Sequence, residues 1–147
     1  MSQLDAIERA LASLESSRTT LAAPTRDFTK EPLRVALIGA GRLGQYYIEA
    51  YNLFEDTQLV GIVEPNPERA AAVRDKFGVP ASYKDTQSML DGCGPEIVTI
   101  ATPGAYFQDA VLRCAASNTV LAVQCEKPFG GPVADADAMV EARPSLG

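Results

Sequence analysis

The chain has 147 residues, of which 46% are hydrophobic and 22% charged, and these values indicate a globular protein rather than a disordered or fibrous one. Its net charge is −6 and it has no basic run, so we expect no nucleic-acid partner. There is no apolar stretch of membrane-spanning length, Asp5 and Glu8 lie where a targeting peptide would be basic, and histidine is absent. We therefore expect a cytoplasmic protein without a membrane partner, a zinc site or a histidine-based triad.

Residues 1–32 predict an N-terminal helix and a linker. Apolar residues recur at helical spacing over 3–16, and they are Leu4, Ile7, Leu11 and Leu14. This amphipathic stripe requires a surface to cover, either on its own domain or on a partner subunit. Residues 17–32 are rich in serine, threonine and proline without an apolar period, so the folded domain is expected to span 33–147.

From residue 33 onwards, strand and helix patterns alternate. This alternation predicts an α/β fold with a doubly wound parallel sheet of about five strands, the Rossmann arrangement. The predicted strands are 33–38, 58–63, 80–83, 96–101 and 119–125. The predicted helices are 42–54, 67–77, 86–91, 105–117 and 132–142. Asn66, Pro67 and Gly78 provide the cap, first-turn proline and terminal glycine of the second of these helices.

A glycine-rich turn follows the first predicted strand. Gly39, Gly41 and Gly44 have the G-x-G-x-x-G spacing of a dinucleotide-binding turn. Gly39 permits the tight turn, Gly41 allows a pyrophosphate to approach, and Gly44 allows the helix to pack closely on the strand. Unpaired N–H groups at the helix start, at Arg42 and Leu43, would meet the phosphates. The alternative is a turn that serves structure only.

Glu64 ends the second predicted strand, twenty residues after Gly44. A carboxylate there can accept hydrogen bonds from both ribose hydroxyls of NAD and would repel the 2′-phosphate of NADP, so we expect NAD rather than NADP. Two alternatives stay open: a solvated acid at a strand end, and a phosphate accommodated by Arg69 swinging inward.

The fourth and fifth predicted strands end in Ala101-Thr102-Pro103 and Glu126-Lys127-Pro128. Loops at the carboxyl ends of strands are where such folds bind ligands. A Glu-Lys pair directly after an apolar strand is unusual unless it is paired or faces a cleft. Lys127 is therefore the best candidate for a functional cation.

Together these motifs resemble the Gfo/Idh/MocA oxidoreductases over residues 33 to about 142. The resemblance rests on the glycine turn, on the run from Glu64 to Ala70 and on the two loops just described. It implies that NAD(P) is held by Gly39, Gly41, Gly44, Glu64, Thr102, Pro103, Glu126 and Lys127. Arg42, Leu43 and Ala101 lie in the same loops and complete the expected cofactor site. The resemblance also places Lys127 beside the nicotinamide and the substrate, as the catalytic residue.

The chain departs from this family in two respects. Where the family has a histidine five residues after the threonine, this chain has Phe107, which we interpret as a core residue. The family also continues into a sixth strand and a large α+β domain that supplies most substrate contacts. We therefore expect this chain to be inactive alone, with the apolar edge at 120–123 exposed unless a second copy, a longer chain or the N-terminal helix covers it.

Two functions remain from the sequence. The first is the NAD-binding part of an oxidoreductase that transfers hydride to or from a sugar, polyol or similar small molecule. The alternative is a non-catalytic NAD(H)-binding sensor or accessory subunit. A third hypothesis is a decayed gene product. A small-molecule substrate is expected only if a second domain or subunit is supplied. The spacing of Cys93, Cys114 and Cys125 favours reduced thiols.

Overall fold

A computed structural model describes residues 31–127 and 132–142. The predicted N-terminal helix, most of the predicted linker and Pro128 lie outside these residues.

The described residues form a five-stranded parallel sheet. Its strands are β1 (Leu33–Ile38), β2 (Thr57–Val63), β3 (Ser82–Tyr83), β4 (Ile97–Ile100) and β5 (Ala122–Cys125), and their spatial order is β3-β2-β1-β4-β5. All four neighbouring pairs are parallel. The central strand β1 is buried from Val35 to Ile38, as expected for a continuous apolar run covered on both faces. The predicted α/β doubly wound sheet is confirmed.

Helices connect the strands. They are α1 (Arg42–Tyr51), α2 (Pro67–Phe77), α3 (Thr86–Cys93), α4 (Phe107–Ala115) and α5 (Val133–Glu141), and a 3-10 turn at Gly104–Tyr106 precedes α4. The side chain of Asn66 caps α2 by accepting a hydrogen bond from the Arg69 N–H at 3.0 Å, and Gly78 ends the helix with a φ of 67°. The predicted boundaries of α2 and both of its caps are confirmed.

Two apolar clusters form the core. Successive β1 residues separate between them: Ala36 and Ile38 belong to the cluster that includes α4, whereas Leu37 belongs to the one that includes Ile48 of α1. Phe107 is 1% exposed and packs in the first cluster together with Ala110, Val111 and Cys114. The interpretation of Phe107 as a core residue is confirmed.

Several predicted helix and strand boundaries were wrong. Helix α1 ends at Tyr51 rather than at residue 54, and the apolar residues that extended the predicted helix, Leu53 and Phe54, are exposed. Strand β5 begins at Ala122 rather than at residue 119, because the hydrogen-bonded ladder with β4 starts there. Val120, expected on the exposed edge, is 4% exposed and packs in the core.

Candidate dinucleotide site

The carboxyl ends of four strands meet at one edge of the sheet, and backbone hydrogen bonds join the loops that follow them. The N–H of Gly39 donates to the carbonyl of Val63 at 2.9 Å, and the N–H of Ala101 donates to the carbonyl of Ile38 at 2.8 Å. The N–H of Glu126 donates to the carbonyl of Ile100 at 3.3 Å. The motifs predicted from the sequence therefore follow neighbouring strands, as the doubly wound fold requires.

The three glycines of the motif are required for different reasons. Gly39 has a φ of +96°, and a Cβ there would lie 2.8 Å from the carbonyl oxygen of Ala101. A Cβ on Gly44 would lie 2.0 Å from the carbonyl oxygen of Gly39, so this glycine allows α1 to contact the turn directly. Both glycines are needed by the fold.

Gly41 is different. Its φ is −70°, a value that any residue adopts, and a Cβ there would meet no atom of the protein within 4 Å. Neither backbone conformation nor packing against the described residues therefore requires a glycine at position 41. The open space in front of it adjoins the first turn of α1, where the backbone N–H groups lack helical partners. This arrangement fits a phosphate group that approaches the backbone closely.

A cavity of about 450 Å³ extends from the glycine turn across the ends of β2 and β4. Six of the predicted site residues line it, and they are Gly39, Gly41, Glu64, Ala101, Thr102 and Pro103. Gly44 is buried behind the turn, and Arg42 and Leu43 are exposed at the start of α1. Glu126 and Lys127 follow β5 and are not among the described residues that line the cavity.

Glu64 lies at the cavity wall and is 7% exposed. Its Oε1 accepts a hydrogen bond from the Asn66 N–H at 3.0 Å, and its Oε2 lies 3.7 Å from a guanidinium nitrogen of Arg69. The tight turn after β2 therefore fixes one carboxylate oxygen, while Arg69 lies near the other. Such a carboxylate is a preorganised acceptor, and its remaining lone pairs are suited to ribose hydroxyls.

Thr102 provides a further polar group. Its Oγ1 is buried and has no hydrogen-bond partner among the described residues, although Thr102 lines the cavity. A buried hydroxyl without a partner is unfavourable, so it fits a site completed by a polar ligand. With the open space at Gly41 and the fixed carboxylate of Glu64, the residues present fit a nicotinamide dinucleotide.

A separate polar cluster joins α1 to the end of β5. The phenol of Tyr47 donates a hydrogen bond to Oε1 of Glu126, and Nε2 of Gln124 donates to the Tyr47 oxygen at 3.1 Å. The hydrogen bond to Glu126, assisted by burial, raises the pKa of Tyr47 to about 12. The carboxylate of Glu126 is therefore held by α1, and the exposed Lys127 is its neighbour in the chain.

Several residues of the cavity and of the polar cluster were not identified from the sequence. The cavity also takes in Lys84, Asp85, Thr86, Tyr106 and Asp109. Three of these follow β3, whose end was predicted correctly at residue 83, so the rule that ligands bind at the carboxyl ends of strands could have found them. Tyr47 had only a weak signal: it lies three residues after Gly44, on the helix face that turns towards β4 and β5.

Within residues 31–127 and 132–142, there is no group of three or more side chains that could hold a metal ion. No helix in this part of the chain is long and apolar enough to cross a membrane. The three cysteines are free thiols, and burial raises the pKa of Cys114 to about 12.

A parallel sheet in this strand order, with a glycine turn entering α1 and an acidic residue after β2, defines a dinucleotide-binding domain of the Rossmann class. The model of a family described as "Oxidoreductase family, NAD-binding Rossmann fold" matches residues 33–147. The chain belongs to this family, the Gfo/Idh/MocA oxidoreductases, and the resemblance inferred from its motifs is confirmed.

Individual relatives agree with this assignment. The chain is 28% identical over 109 residues to myo-inositol 2-dehydrogenase from Thermotoga maritima, covering 74% of this chain and 32% of that protein. An oxidoreductase from Agrobacterium radiobacter, solved in complex with NAD+, L-tartaric acid and magnesium, matches with a TM-score of 0.69 and 32% identity over 75% of this chain and 32% of that one.

The WlbA dehydrogenase from Bordetella pertussis, solved with NADH and UDP-GlcNAcA, matches with a TM-score of 0.70 and 26% identity over 76% of this chain and 34% of that one. The chain thus spans about a third of the length of the relatives it matches. The family and these two complexes support binding of a nicotinamide dinucleotide.

Proposed function

We propose that this chain is the NAD-binding part of an oxidoreductase that transfers hydride between a nicotinamide cofactor and a hydroxyl or carbonyl carbon of a sugar, polyol or similar small molecule. The observation that carries the proposal is the cavity that extends from Gly41 to the fixed carboxylate of Glu64. Neither backbone strain nor packing requires a glycine at position 41, so its presence is explained by a ligand in this cavity. The substrate class is supported by relatives named as inositol, D-glucoside and D-apiose dehydrogenases.

Different described residues are proposed to bind different parts of the cofactor. In this proposal, the backbone at Gly41, Arg42 and Leu43 receives the pyrophosphate at the start of α1. The Glu64 carboxylate accepts the hydroxyls of the adenosine ribose, and the hydroxyl of Thr102 finds its missing partner in the bound cofactor. The nicotinamide then lies towards the ends of β4 and β5, where Ala101, Pro103 and Glu126 follow the strands.

The bound cofactor supplies a hydride acceptor or donor at its nicotinamide ring. Lys127 is proposed to polarise the reacting oxygen through its Nζ, or to move a proton to or from that oxygen. The hydrogen bond from Tyr47 fixes the neighbouring residue, Glu126, relative to α1. Because Lys127 is exposed, we propose that substrate turnover needs a further wall from polypeptide outside the described residues.

NAD is the proposed cofactor in preference to NADP, because the carboxylate of Glu64 would repel a 2′-phosphate. Arg69 does not reverse this preference in the proposal, since its guanidinium already lies 3.7 Å from the same carboxylate.

The experiment is a calorimetric titration with NADH and with NADPH of the wild-type chain, Glu64→Gln and Glu68→Gln. Glutamine keeps an oxygen that can accept from the Asn66 N–H, so the turn is preserved while the charge is removed. Glu68 is an exposed acid on α2 that does not line the cavity, so its substitution is the matched control.

We expect wild type and Glu68→Gln to bind NADH more tightly than NADPH, and Glu64→Gln to lose at least part of that difference. A preference that is the same in all three proteins would refute the role of Glu64. Saturable NADH binding without turnover of sugars or polyols, even in a longer chain that carries this domain, would favour the non-catalytic sensor.

A further inference from the structure

The cavity has an aromatic residue at its rim. Tyr106 ends the 3-10 turn between β4 and α4, lines the cavity and is 66% exposed. It is the sole aromatic side chain among the described residues that line the cavity. The preceding residue, Ala105, is small and also lines the cavity.

The backbone of Tyr106 is held firmly although its side chain is exposed. Its N–H donates a hydrogen bond to the carbonyl of Pro103 at 3.0 Å. The next residue, Phe107, is 1% exposed and packs in the core. Anchoring on both sides fixes the place from which the ring is presented, so little conformational freedom of the backbone would be lost when a ligand binds.

The other cavity residues indicate which part of a dinucleotide would meet this ring. Tyr106 shares the cavity with Glu64, which follows β2, and with Lys84, Asp85 and Thr86, which follow β3. In the sheet order β3-β2-β1-β4-β5, the residues that follow β2 and β3 lie on the opposite side of the glycine turn from β5 and Lys127. Tyr106 follows β4, yet it lines the same cavity as they do, whereas Lys127 is not among the described residues that line it. If Glu64 receives the adenosine ribose, this side of the cavity is the adenine side; the inference rests on the proposed function in this respect.

We propose that Tyr106 is the wall on which the adenine ring of the cofactor stacks. A tyrosine offers a flat apolar face with few rotatable bonds, and nucleic-acid bases stack on such faces with a useful gain in affinity. The exposed guanidinium of Arg69 lines the same cavity and offers a second planar group that can stack on a base. The contribution of Tyr106 is then the same for any ligand that carries the adenosine half, with or without nicotinamide.

The test combines calorimetry and NMR on the 147-residue chain. NADH and ADP-ribose are titrated into wild type, Tyr106→Phe, Tyr106→Ala and Tyr46→Ala. ADP-ribose contains the adenosine half and the pyrophosphate but no nicotinamide. Tyr46 is a 54% exposed tyrosine on α1 that does not line the cavity, so Tyr46→Ala is the control for loss of an exposed ring. Circular dichroism checks that each variant is folded.

We expect Tyr106→Ala to weaken both ligands by a similar factor of about 5 to 30, the lower part of the range for stacking of a base on an aromatic side chain. Tyr106→Phe keeps the ring and should bind as wild type does, as should Tyr46→Ala. In wild type, nuclear Overhauser effects should connect the Tyr106 ring protons with H2 or H8 of adenine.

Unchanged binding of both ligands by Tyr106→Ala would overturn the proposal and leave the cofactor site standing. A loss confined to NADH, or Overhauser effects from Tyr106 to nicotinamide protons, would overturn it by assigning the ring to the other half of the cofactor. A folded wild-type chain that binds neither ligand would overturn the proposed function and this proposal together.

Discussion

Gly41 and Gly44 lie three residues apart, but only Gly44 is expected to be required for folding, whereas Gly41 is expected to be required for cofactor binding. Gly44→Ala places a Cβ 2.0 Å from the carbonyl oxygen of Gly39, whereas Gly41→Ala places one where no protein atom lies within 4 Å. Each change adds one methyl group, at the N-cap of α1 in Gly41→Ala and at the third residue of α1 in Gly44→Ala. We therefore expect Gly44→Ala to destabilise the fold and Gly41→Ala to leave it nearly unchanged.

The magnitudes follow from these distances. Cβ contacts under 3.0 Å essentially do not occur, so the turn and α1 must separate by about 1 Å in Gly44→Ala, and the opposing atom belongs to the backbone. Overpacking of this kind costs about 1–3 kcal/mol, and we expect about 3 because no side chain can rotate away. The better helix propensity of alanine offsets up to about 1 kcal/mol, which leaves a net loss of about 2. In Gly41→Ala the loss is about 0.5 kcal/mol, because alanine is a slightly poorer N-cap than glycine.

Urea unfolding measures both values. If the m values are equal, the midpoint of Gly44→Ala should fall well below that of wild type, and the midpoint of Gly41→Ala should lie close to it. Equal stability of Gly44→Ala and wild type would refute the close contact between α1 and the turn. A larger loss in Gly41→Ala than in Gly44→Ala would refute the claim that folding does not require glycine at position 41.

Four further results are expected. In a spectrophotometric titration, Tyr47 should ionise near pH 12, and in Glu126→Gln its pKa should fall towards 10; the same midpoint in both proteins would contradict the hydrogen bond. The folded state favours the neutral phenol of Tyr47, so the contribution of this group to stability is present below pH 10 and is lost as the pH rises to about 12. Urea unfolding of wild type and Tyr47→Phe at several pH values measures this loss. Phe107→Ala should lower the free energy of unfolding by about 3–5 kcal/mol, and a loss under about 1 kcal/mol would show that Phe107 is not a core residue. Cys114 should react with a thiol reagent at pH 8 more slowly than Cys93 or Cys125, because it is buried and its pKa is about 12; fast labelling of Cys114 without unfolding would be inconsistent with its burial.

The sequence predicted the parts of the molecule that are encoded locally. The apolar run before Gly39 and the cap, proline and terminal glycine of α2 act over a few residues, and the fold confirms them. The position of Glu64 at a strand end, beside the glycine turn, also followed from local order because parallel strands bring their carboxyl ends to one edge.

Contacts between distant segments were not predictable in this way. The hydrogen bond from Tyr47 to Glu126 joins residues 79 apart in the chain, and no spacing rule relates them. The burial of the Thr102 hydroxyl depends on how its loop packs against the glycine turn. The end of α1 was misplaced because Leu53 and Phe54 continue an apolar pattern on a segment that is exposed.

The central claim is that the open space at Gly41 receives the pyrophosphate of a nicotinamide dinucleotide. The most direct test is a titration of NADH into wild type and Gly41→Val, after urea unfolding has shown that both are folded. Valine tolerates the φ of −70° at this position, and its side chain would fill the space that the phosphates need. The account predicts saturable binding to wild type and at least a hundredfold weaker binding to the folded variant. Equal affinity in the two proteins, or no binding to folded wild type, would contradict it.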